Sequence, residues 1–310
     1  MLALLAPGQG SQTPGMLAPW LELPGTADRL ATWSEISGLD LAQLGTTATA
    51  EEITDTAVTQ PLVVAATLLA HEELIKRGLL TNAQLIVAGH SVGEIAAYAI
   101  AGVISADDAI KLAATRGAEM AKACALEPTG MSAVLGGDEA EVLARLEALE
   151  LVPANRNAAG QIVAAGAISA LEKLAEDPPA KARVRQLATA GAFHTHFMGS
   201  AQEPYAVAAA TVSPSEPTTT LLSNADGQPV ADAADAMAKL VAQMTRPVRW
   251  DLCSATLRQR FSAAQDGEQV TGIIEFPPAG ALTGIAKREV KGVPTFAIKT
   301  PADLDGLTEF

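Results

Sequence analysis

The chain has 310 residues, which at about 150 residues per domain predicts two domains, or one large domain with an insertion. Apolar residues make up 49% and charged residues 18%, a composition that excludes a disordered chain. The 21 basic and 35 acidic residues give a net charge of −14, which argues against duplex nucleic acid and anionic membranes as partners. The two cysteines, Cys124 and Cys253, show neither a disulfide framework nor a metal-binding spacing.

No segment has the pattern of a targeting or membrane-spanning sequence. The apolar run at residues 1–6 is too short for a signal-peptide core and lacks a basic flank. The most apolar stretch, residues 85–106, contains His90, Ser91 and Glu94 as well as several glycines, so it does not fit a membrane span. We therefore expect a cytoplasmic protein that binds neither nucleic acid nor membrane.

The first third of the chain alternates buried strands with helices. Short apolar runs predict strands at residues 2–6 and 85–88. Apolar residues at helical spacing predict helices at 60–78, 93–101 and 105–122. In the last of these, Ser105 has the position of the N-cap, with Asp108 three residues later.

Between residues 125 and 190 the predicted elements follow a different order. Strands are predicted at 131–135, 151–155, 161–165 and 183–188, and helices at 138–149 and 169–176. This βαββαβ order is the ferredoxin-like pattern, so we expect a small domain at 125–190 inserted into a core of residues 1–124 and 191–310. The core continues with strands at 219–223, 271–275 and 295–298 and a helix at 231–244.

The strongest chemical signal is Gly89-His-Ser91-Val-Gly93, a G-x-S-x-G motif between a predicted strand and a predicted helix. The tight turn of this motif requires small residues two positions before and after the serine, and it exposes the serine hydroxyl. The N–H groups of the following helix point at the same place, where an oxyanion could form. The motif therefore indicates a nucleophilic serine rather than a simple capping serine.

A serine nucleophile needs a base, and the chain offers four histidines. His71 lies among helix residues, and the side chain of His90 should point away from its neighbour Ser91. His194 and His196 follow the predicted insertion in a loop, a common place for catalytic side chains. The residues alone do not separate these two candidates.

Two further features, an arginine and a glycine-rich loop, are weaker evidence for a functional site when each is taken alone. Arg116 lies at the edge of the apolar face of its helix, where a guanidinium would pair with a carboxylate of the protein or of a ligand. The loop at residues 8–12, Gly-Gln-Gly-Ser-Gln, is too short to cradle a phosphate. Its backbone amides could donate to an oxyanion if the loop lies beside Ser91.

Taken together, these residues resemble the malonyl-CoA:acyl carrier protein transacylases, and the acyltransferase domains of polyketide and animal-type fatty acid synthases are similar. The matching segments cover nearly the whole chain: residues 7–12, 89–94, 130–134, 155–163, 192–194, 247–250 and 282–284, with Arg116 twenty-five residues after the serine. The sequence departs from the family at Pro277-Pro-Ala279, where the family has Gly-Pro-Gly, and at Val92, where leucine is frequent.

The resemblance implies an α/β-hydrolase-like core with a parallel sheet, the ferredoxin-like insertion, and ping-pong acyl transfer. Ser91 matches the serine that becomes malonylated, and His194 matches the histidine that takes its proton. The backbone N–H groups of Gln9 and Val92 match the oxyanion-hole donors. Arg116 matches the arginine that pairs with the malonyl carboxylate. The reaction implied needs no metal and no redox cofactor, since the CoA thioester is itself the substrate.

The resemblance also implies finer roles. The backbone carbonyl of Arg249 matches the group that orients the histidine, and Asn155 matches the substrate pocket. Phe193, directly before the histidine, is typical of domains that take malonyl rather than methylmalonyl groups. Lys287 and Arg288 are our candidates for docking acyl carrier protein.

The partners implied are malonyl-CoA and acyl carrier protein, with a monomer in the bacterial cytoplasm as the expected state. The residues do not distinguish fatty acid from polyketide synthesis. Three cations at the end of the small domain are alternative docking residues: Lys181, Arg183 and Arg185.

Two other functions are compatible with parts of this sequence. A serine esterase or thioesterase would share the serine turn and could use Asp138 or Asp177 as the acid of a triad. A non-enzymatic subunit that docks carrier protein has no reason to retain Ser91, His194 and Arg116 together.

Overall fold

The computed structural model describes residues 1–80, 83–262 and 269–310. Its strands are β1 Leu2–Ala6, β2 Leu85–Gly89, β3 Thr129–Gly136, β4 Val152–Ala158, β5 Gln161–Ala167, β6 Ala182–Gln186, β7 Thr220–Leu222, β8 Gly272–Glu275 and β9 Thr295–Ala297. Its α-helices are α1 Ala18–Leu21, α2 Thr26–Ser37, α3 Leu41–Thr46, α4 Thr56–Lys76, α5 Gly93–Ile100, α6 Ala106–Cys124, α7 Glu139–Ala148, α8 Ile168–Glu176, α9 Gly199–Ala209, α10 Ala233–Ala242, α11 Trp250–Phe261 and α12 Ala281–Glu289. The 3₁₀ helices are Glu52–Thr54, His196–Met198, Gln243–Thr245 and Pro301–Glu309.

The core is built on a parallel sheet in the order β7-β2-β1-β8-β9. Nearly every residue of its central strands is buried, as expected for a parallel sheet with both faces covered. Because all the strands run in one direction, the loops that follow β1, β2, β7 and β8 meet at one edge of the sheet. In open α/β sheets this edge is where ligands bind.

The second sheet is antiparallel, in the order β4-β5-β3-β6, with α7 and α8 as the connecting helices. This arrangement is the ferredoxin-like topology that the sequence predicted, and the predicted fold class is confirmed. The domain boundaries at residues 124/125 and 190/191 stay a prediction. The backbone of β4 is joined to the core by two hydrogen bonds, from Arg156 N to Val248 O and from Val248 N to Ala154 O, each 2.9 Å long.

Some elements differ from those predicted. The first long helix, α4, begins at Thr56 instead of residue 60, because the Asp55 side chain caps it by accepting from Ala57 N at 2.8 Å. The predicted helix at 231–244 ends as a 3₁₀ turn at Gln243–Thr245. The sequence patterns predicted none of the helices α1, α2, α3, α9, α11 and α12. None of the described helices is both long and apolar enough to traverse a bilayer.

The serine turn depends on two glycines where β2 and α5 approach each other closely. A Cβ atom on Gly89 would lie 2.1 Å from the carbonyl oxygen of Gly93. A Cβ atom on Gly93 would lie 2.3 Å from the carbonyl oxygen of Ala6, at the end of β1. These contacts explain why the motif requires small residues at both positions.

We predict that Gly93→Ala lowers the free energy of unfolding by about 1–3 kcal/mol, because the backbone of β1 must move to admit the methyl group. Gly199→Ala is the matched control, since a Cβ atom there meets nothing within 4 Å. That control should change the free energy of unfolding by less than about 1 kcal/mol. Urea titration of the three proteins measures both values, and equal stability of the two variants would contradict the packing argument.

Candidate active site

Ser91 lies at the turn between β2 and α5 in a strained backbone conformation. Its φ of 54° is in the left-handed region that non-glycine residues rarely adopt. Asn224, which follows β7, holds this turn: its Oδ1 accepts from Ser91 N at 2.9 Å and its Nδ2 donates to Gly89 O at 2.6 Å. The strain is therefore maintained by hydrogen bonds on both sides of the serine.

His194 contacts the serine directly, with 2.7 Å between its Nε2 and Ser91 Oγ. It too has a positive φ, of 60°, and its side chain is buried. The loop that carries it is anchored by Thr129 Oγ1, which accepts from Ala192 N at 3.1 Å. His196, in contrast, is exposed and stacks on Phe197. The geometry thus separates the two histidines that the residues alone left open.

The second ring nitrogen of His194, Nδ1, lies 2.9 Å from the backbone carbonyl oxygen of Gln243. A carbonyl only accepts, so Nδ1 carries the proton and Nε2 presents its lone pair to the serine hydroxyl. Burial, together with the positive charge of Arg116, lowers the pKa of His194 to about 3, although its contact with the Gln243 carbonyl opposes the shift. The imidazole is therefore neutral at physiological pH, the form that can take a proton from Ser91.

The expected role of Arg249 is wrong in this structure, because the carbonyl on His194 belongs to Gln243. The carbonyl of Arg249 instead accepts from Leu252 N and Cys253 N at the start of α11. The backbone N–H of Arg249 donates to Asn224 O at 2.8 Å. Arg249 therefore supports the serine turn through Asn224 rather than the histidine.

The carboxylates proposed for an esterase triad lie elsewhere. Asp138 caps α7 by accepting from Ala140 N and Glu141 N, and Asp177 pairs with Arg145 at 2.9 Å. Neither contacts His194, whose orienting partner is a neutral carbonyl. This geometry does not favour the hydrolase with a Ser-His-Asp triad.

The glycine-rich loop lies beside the serine turn, as the sequence suggested. His90 N donates to Ala6 O at 2.9 Å, and a Cβ atom on Gly8 would lie 2.6 Å from His90 O. Gln9 and Val92 both line the cavity in front of Ser91. Within the described part of the chain, neither backbone N–H donates to a protein acceptor. Both are therefore available to a ligand oxygen.

Arg116 is almost wholly enclosed, with 1% of its surface exposed. Its Nη1 donates to Gln60 Oε1 at 2.8 Å and its Nη2 to Gln243 Oε1 at 2.9 Å. Its Nε has no hydrogen-bond partner among the described residues. A buried guanidinium held only by neutral amides has donors left for an anion.

These groups share one cavity of about 490 Å³ between the two sheets. The cavity lining includes eight of the candidate residues predicted from the sequence: Gln9, Ser91, Val92, Arg116, Asn155, Phe193, His194 and Arg288. A volume of this size fits a small-molecule site. Lys287 is exposed on α12, and the neighbouring Arg288 donates to Gln161 Oε1 at 2.8 Å.

Sequence patterns did not predict four residues that connect the site: Gln60, Glu94, Asn224 and Gln243. Glu94 is fully buried and accepts from Asn224 N at 2.7 Å and from Gln243 Nε2. Its place in the first turn of an apolar helix was the one available signal, because a carboxylate there needs partners. The others lie far from Ser91 in the sequence and have no local signature. The described residues include no cluster of three or more His, Cys, Asp or Glu side chains able to hold a metal ion.

A parallel sheet with a strand–serine–helix turn, and a histidine oriented by a carbonyl, define an α/β enzyme of acyl transfer. The chain matches the acyl transferase domain family over residues 4–296 and belongs to that family. It is 81% identical over 294 residues to the malonyl CoA-acyl carrier protein transacylase of Mycolicibacterium smegmatis, covering 95% of this chain and 100% of that one. The acyltransferase class expected from the sequence is confirmed.

Solved structures agree with this assignment. The crystal structure of MCAT from Mycobacterium tuberculosis is 71% identical, has a TM-score of 0.95 and is covered over 99% of both chains. A malonyl-transacylase solved in complex with its type II PKS acyl-carrier protein is 29% identical, with a TM-score of 0.90 and 99% of both chains covered.

We predict that Ser91 keeps its reactivity in acid. The lowered pKa of about 3 keeps His194 neutral. The rate at which phenylmethanesulfonyl fluoride modifies Ser91 should therefore change less than about twofold between pH 7.5 and 5. A histidine of ordinary pKa would lose roughly 30-fold over the same range. Intact-mass spectrometry at timed intervals gives the rate, with Ser91→Ala as the control for modification elsewhere. A decline centred near pH 6.5 would contradict the burial argument.

Proposed function

We propose that this chain transfers the malonyl group from malonyl-CoA to the phosphopantetheine thiol of acyl carrier protein through a malonyl-Ser91 intermediate. The observation that carries the proposal is a single cavity in which the Ser91–His194 pair lies near Arg116, a buried cation without a carboxylate partner among the described residues. The names of the relatives support the substrate and the partner.

In the first half-reaction, His194 Nε2 takes the proton of Ser91 as the serine oxygen attacks the thioester carbon. The backbone N–H groups of Gln9 and Val92 donate to the oxyanion that develops on the thioester oxygen. When the tetrahedral intermediate collapses, the carbon–sulfur bond breaks and His194 gives its proton to the departing CoA thiolate. The enzyme then holds malonyl as an ester on Ser91.

The second half-reaction runs the same steps with a different thiol. The phosphopantetheine thiol of acyl carrier protein gives its proton to His194 and attacks the ester carbon. The carbon–oxygen bond breaks, and the proton passes from His194 back to Ser91. Proton, nucleophile and leaving group therefore balance without a metal or a redox cofactor, in keeping with a thioester that is itself the activated substrate.

Arg116 selects the acyl group by pairing with its free carboxylate. Its position inside the cavity also holds the malonyl chain away from solvent water while the ester waits for the second thiol. Phe193, buried beside His194, fills space that the α-methyl of a methylmalonyl group would need. Asn155, also buried at the cavity wall, contributes to the substrate pocket. We further propose that the enzyme acts as a monomer in the bacterial cytoplasm.

The first test follows the acyl group. Incubation with malonyl-CoA should add one malonyl mass to the peptide that contains Ser91, and Ser91→Ala should add none. His194→Ala should slow loading by about 10²–10⁴-fold, the usual effect of removing a positioned general base. His196→Ala is the matched control, because that ring is exposed and should load normally. An adduct on Ser91→Ala, or equal losses for both histidines, would contradict the assignment.

We propose that acyl carrier protein docks on α12 at the cavity mouth. Carrier proteins are typically acidic and this chain has a net charge of −14, so a productive encounter needs a local positive patch. Lys287 and Arg288 form such a patch, with Arg288 at the cavity wall and Lys287 exposed beside it.

Lys287→Glu should therefore raise KM for acyl carrier protein by about tenfold, while loading of Ser91 from malonyl-CoA changes far less. The defect should weaken in high salt, since ions screen exposed charges. Lys111→Glu makes the same charge change on α6, away from the cavity lining, and should leave both steps unaltered. Equal slowing of both half-reactions by Lys287→Glu would show that α12 supports the fold or the CoA site instead.

A further inference from the structure

The side-chain amide of Gln243 lies between two buried groups of opposite charge. On one side its Oε1 accepts from Arg116 Nη2 at 2.9 Å. On the other side its Nε2 donates to Glu94 Oε2. Glu94 is 0% exposed and Arg116 is 1% exposed, and no direct ion pair joins them in the described structure. Among the described residues, only this amide contacts both groups.

Only one orientation of the amide satisfies its surroundings. Besides Glu94, the Nε2 group faces Ser91 O at 3.2 Å and Asn224 Oδ1 at 3.4 Å, both of which accept hydrogen bonds. A flipped amide would set its oxygen against these acceptors and its NH₂ group against the donors of Arg116. The carboxylate of Glu94 therefore determines that a neutral oxygen faces the guanidinium.

The pairing that the amide prevents would be strong. A carboxylate and a guanidinium form bidentate, charge-assisted hydrogen bonds, and burial strengthens their attraction. Burial raises the pKa of Glu94 to about 7, and the charge of Arg116 acts to lower it. A direct contact between the two would stabilise the ionised carboxylate and occupy the donors that a substrate carboxylate needs.

We propose that Gln243 is a positioning residue for acyl selectivity, because its amide keeps the Glu94 carboxylate off Arg116 and so reserves the guanidinium for the carboxylate of the acyl group. This inference rests on the proposed function. It is separate from the contact between the Gln243 backbone carbonyl and His194, which every substitution of the side chain retains.

The test compares loading of Ser91 from malonyl-CoA and from acetyl-CoA, whose acyl group has no carboxylate. Gln243→Met keeps the length of the side chain but removes the amide, so Arg116 can turn to Glu94. The ratio of malonyl to acetyl loading should fall by about 10- to 100-fold, as expected for loss of a bond to a charged group. The fall should come from a higher KM for malonyl-CoA, and acetyl loading should fall less than malonyl loading.

The decisive variant removes the competing carboxylate. The double variant Gln243→Met/Glu94→Gln has no carboxylate at position 94 to pair with Arg116. Its malonyl-to-acetyl ratio should therefore be at least about tenfold higher than that of Gln243→Met alone. Gln60→Met is the matched control, because Gln60 also holds Arg116 through an amide oxygen but its Nε2 contacts Met120 Sδ, not a carboxylate. Adding Glu94→Gln to Gln60→Met should give no recovery.

The inference would be overturned if the double variant had the same malonyl-to-acetyl ratio as Gln243→Met, or if Glu94→Gln raised that ratio equally in the Gln60→Met background. Gln243 would then be a packing residue. If Gln243→Met does not fold, Gln243→Glu places a carboxylate directly on Arg116 and should lower the ratio similarly, while an unchanged ratio would overturn the inference. Failure of the proposed function is distinguishable, since the unmodified enzyme would then not load malonyl at all.

Discussion

The hydrogen bond between His194 and the backbone carbonyl of Gln243 is the contact on which the rest of the site depends. A carbonyl fixes the tautomer of the ring as a carboxylate would, but it brings no negative charge into the buried site. No adjacent carboxylate among the described residues therefore stabilises an imidazolium at rest, and the low pKa of His194 follows from burial and from Arg116 nearby. With an uncharged partner, the buried ring stays neutral and can accept a proton from Ser91.

The same principle extends to the cation of the site. An acid next to His194 would lie close to Arg116 and compete with any carboxylate that a substrate brings. The structure instead surrounds Arg116 with the amide oxygens of Gln60 and Gln243 and holds Glu94 one amide further away. Neutral hydrogen-bond partners orient the base and the cation, so the charge that completes the site is left to the substrate.

Much of this arrangement follows from local sequence patterns. The Gly89–Gly93 turn, the βαββαβ insertion and the cap at Ser105 each depend on neighbouring residues, and the structure has all three. What could not be predicted depends on distant segments. Nothing in the sequence near Gln243 indicates that its carbonyl, just after α10, contacts His194. The carbonyl expected there, that of Arg249, lies only six residues further on. The helices missed near the N-terminus bury Trp20 and Trp33 against the core, which is a tertiary effect.

¹⁵N NMR of the ring-labelled histidines shows directly whether His194 rests as a neutral ring with its proton on Nδ1. A His194→Gln sample assigns the two nitrogen signals. At about pH 6, where an ordinary histidine is largely protonated, we expect a protonated Nδ1 and an unprotonated Nε2 in His194. An imidazolium at that pH, or the opposite tautomer with the proton on Nε2, would contradict it.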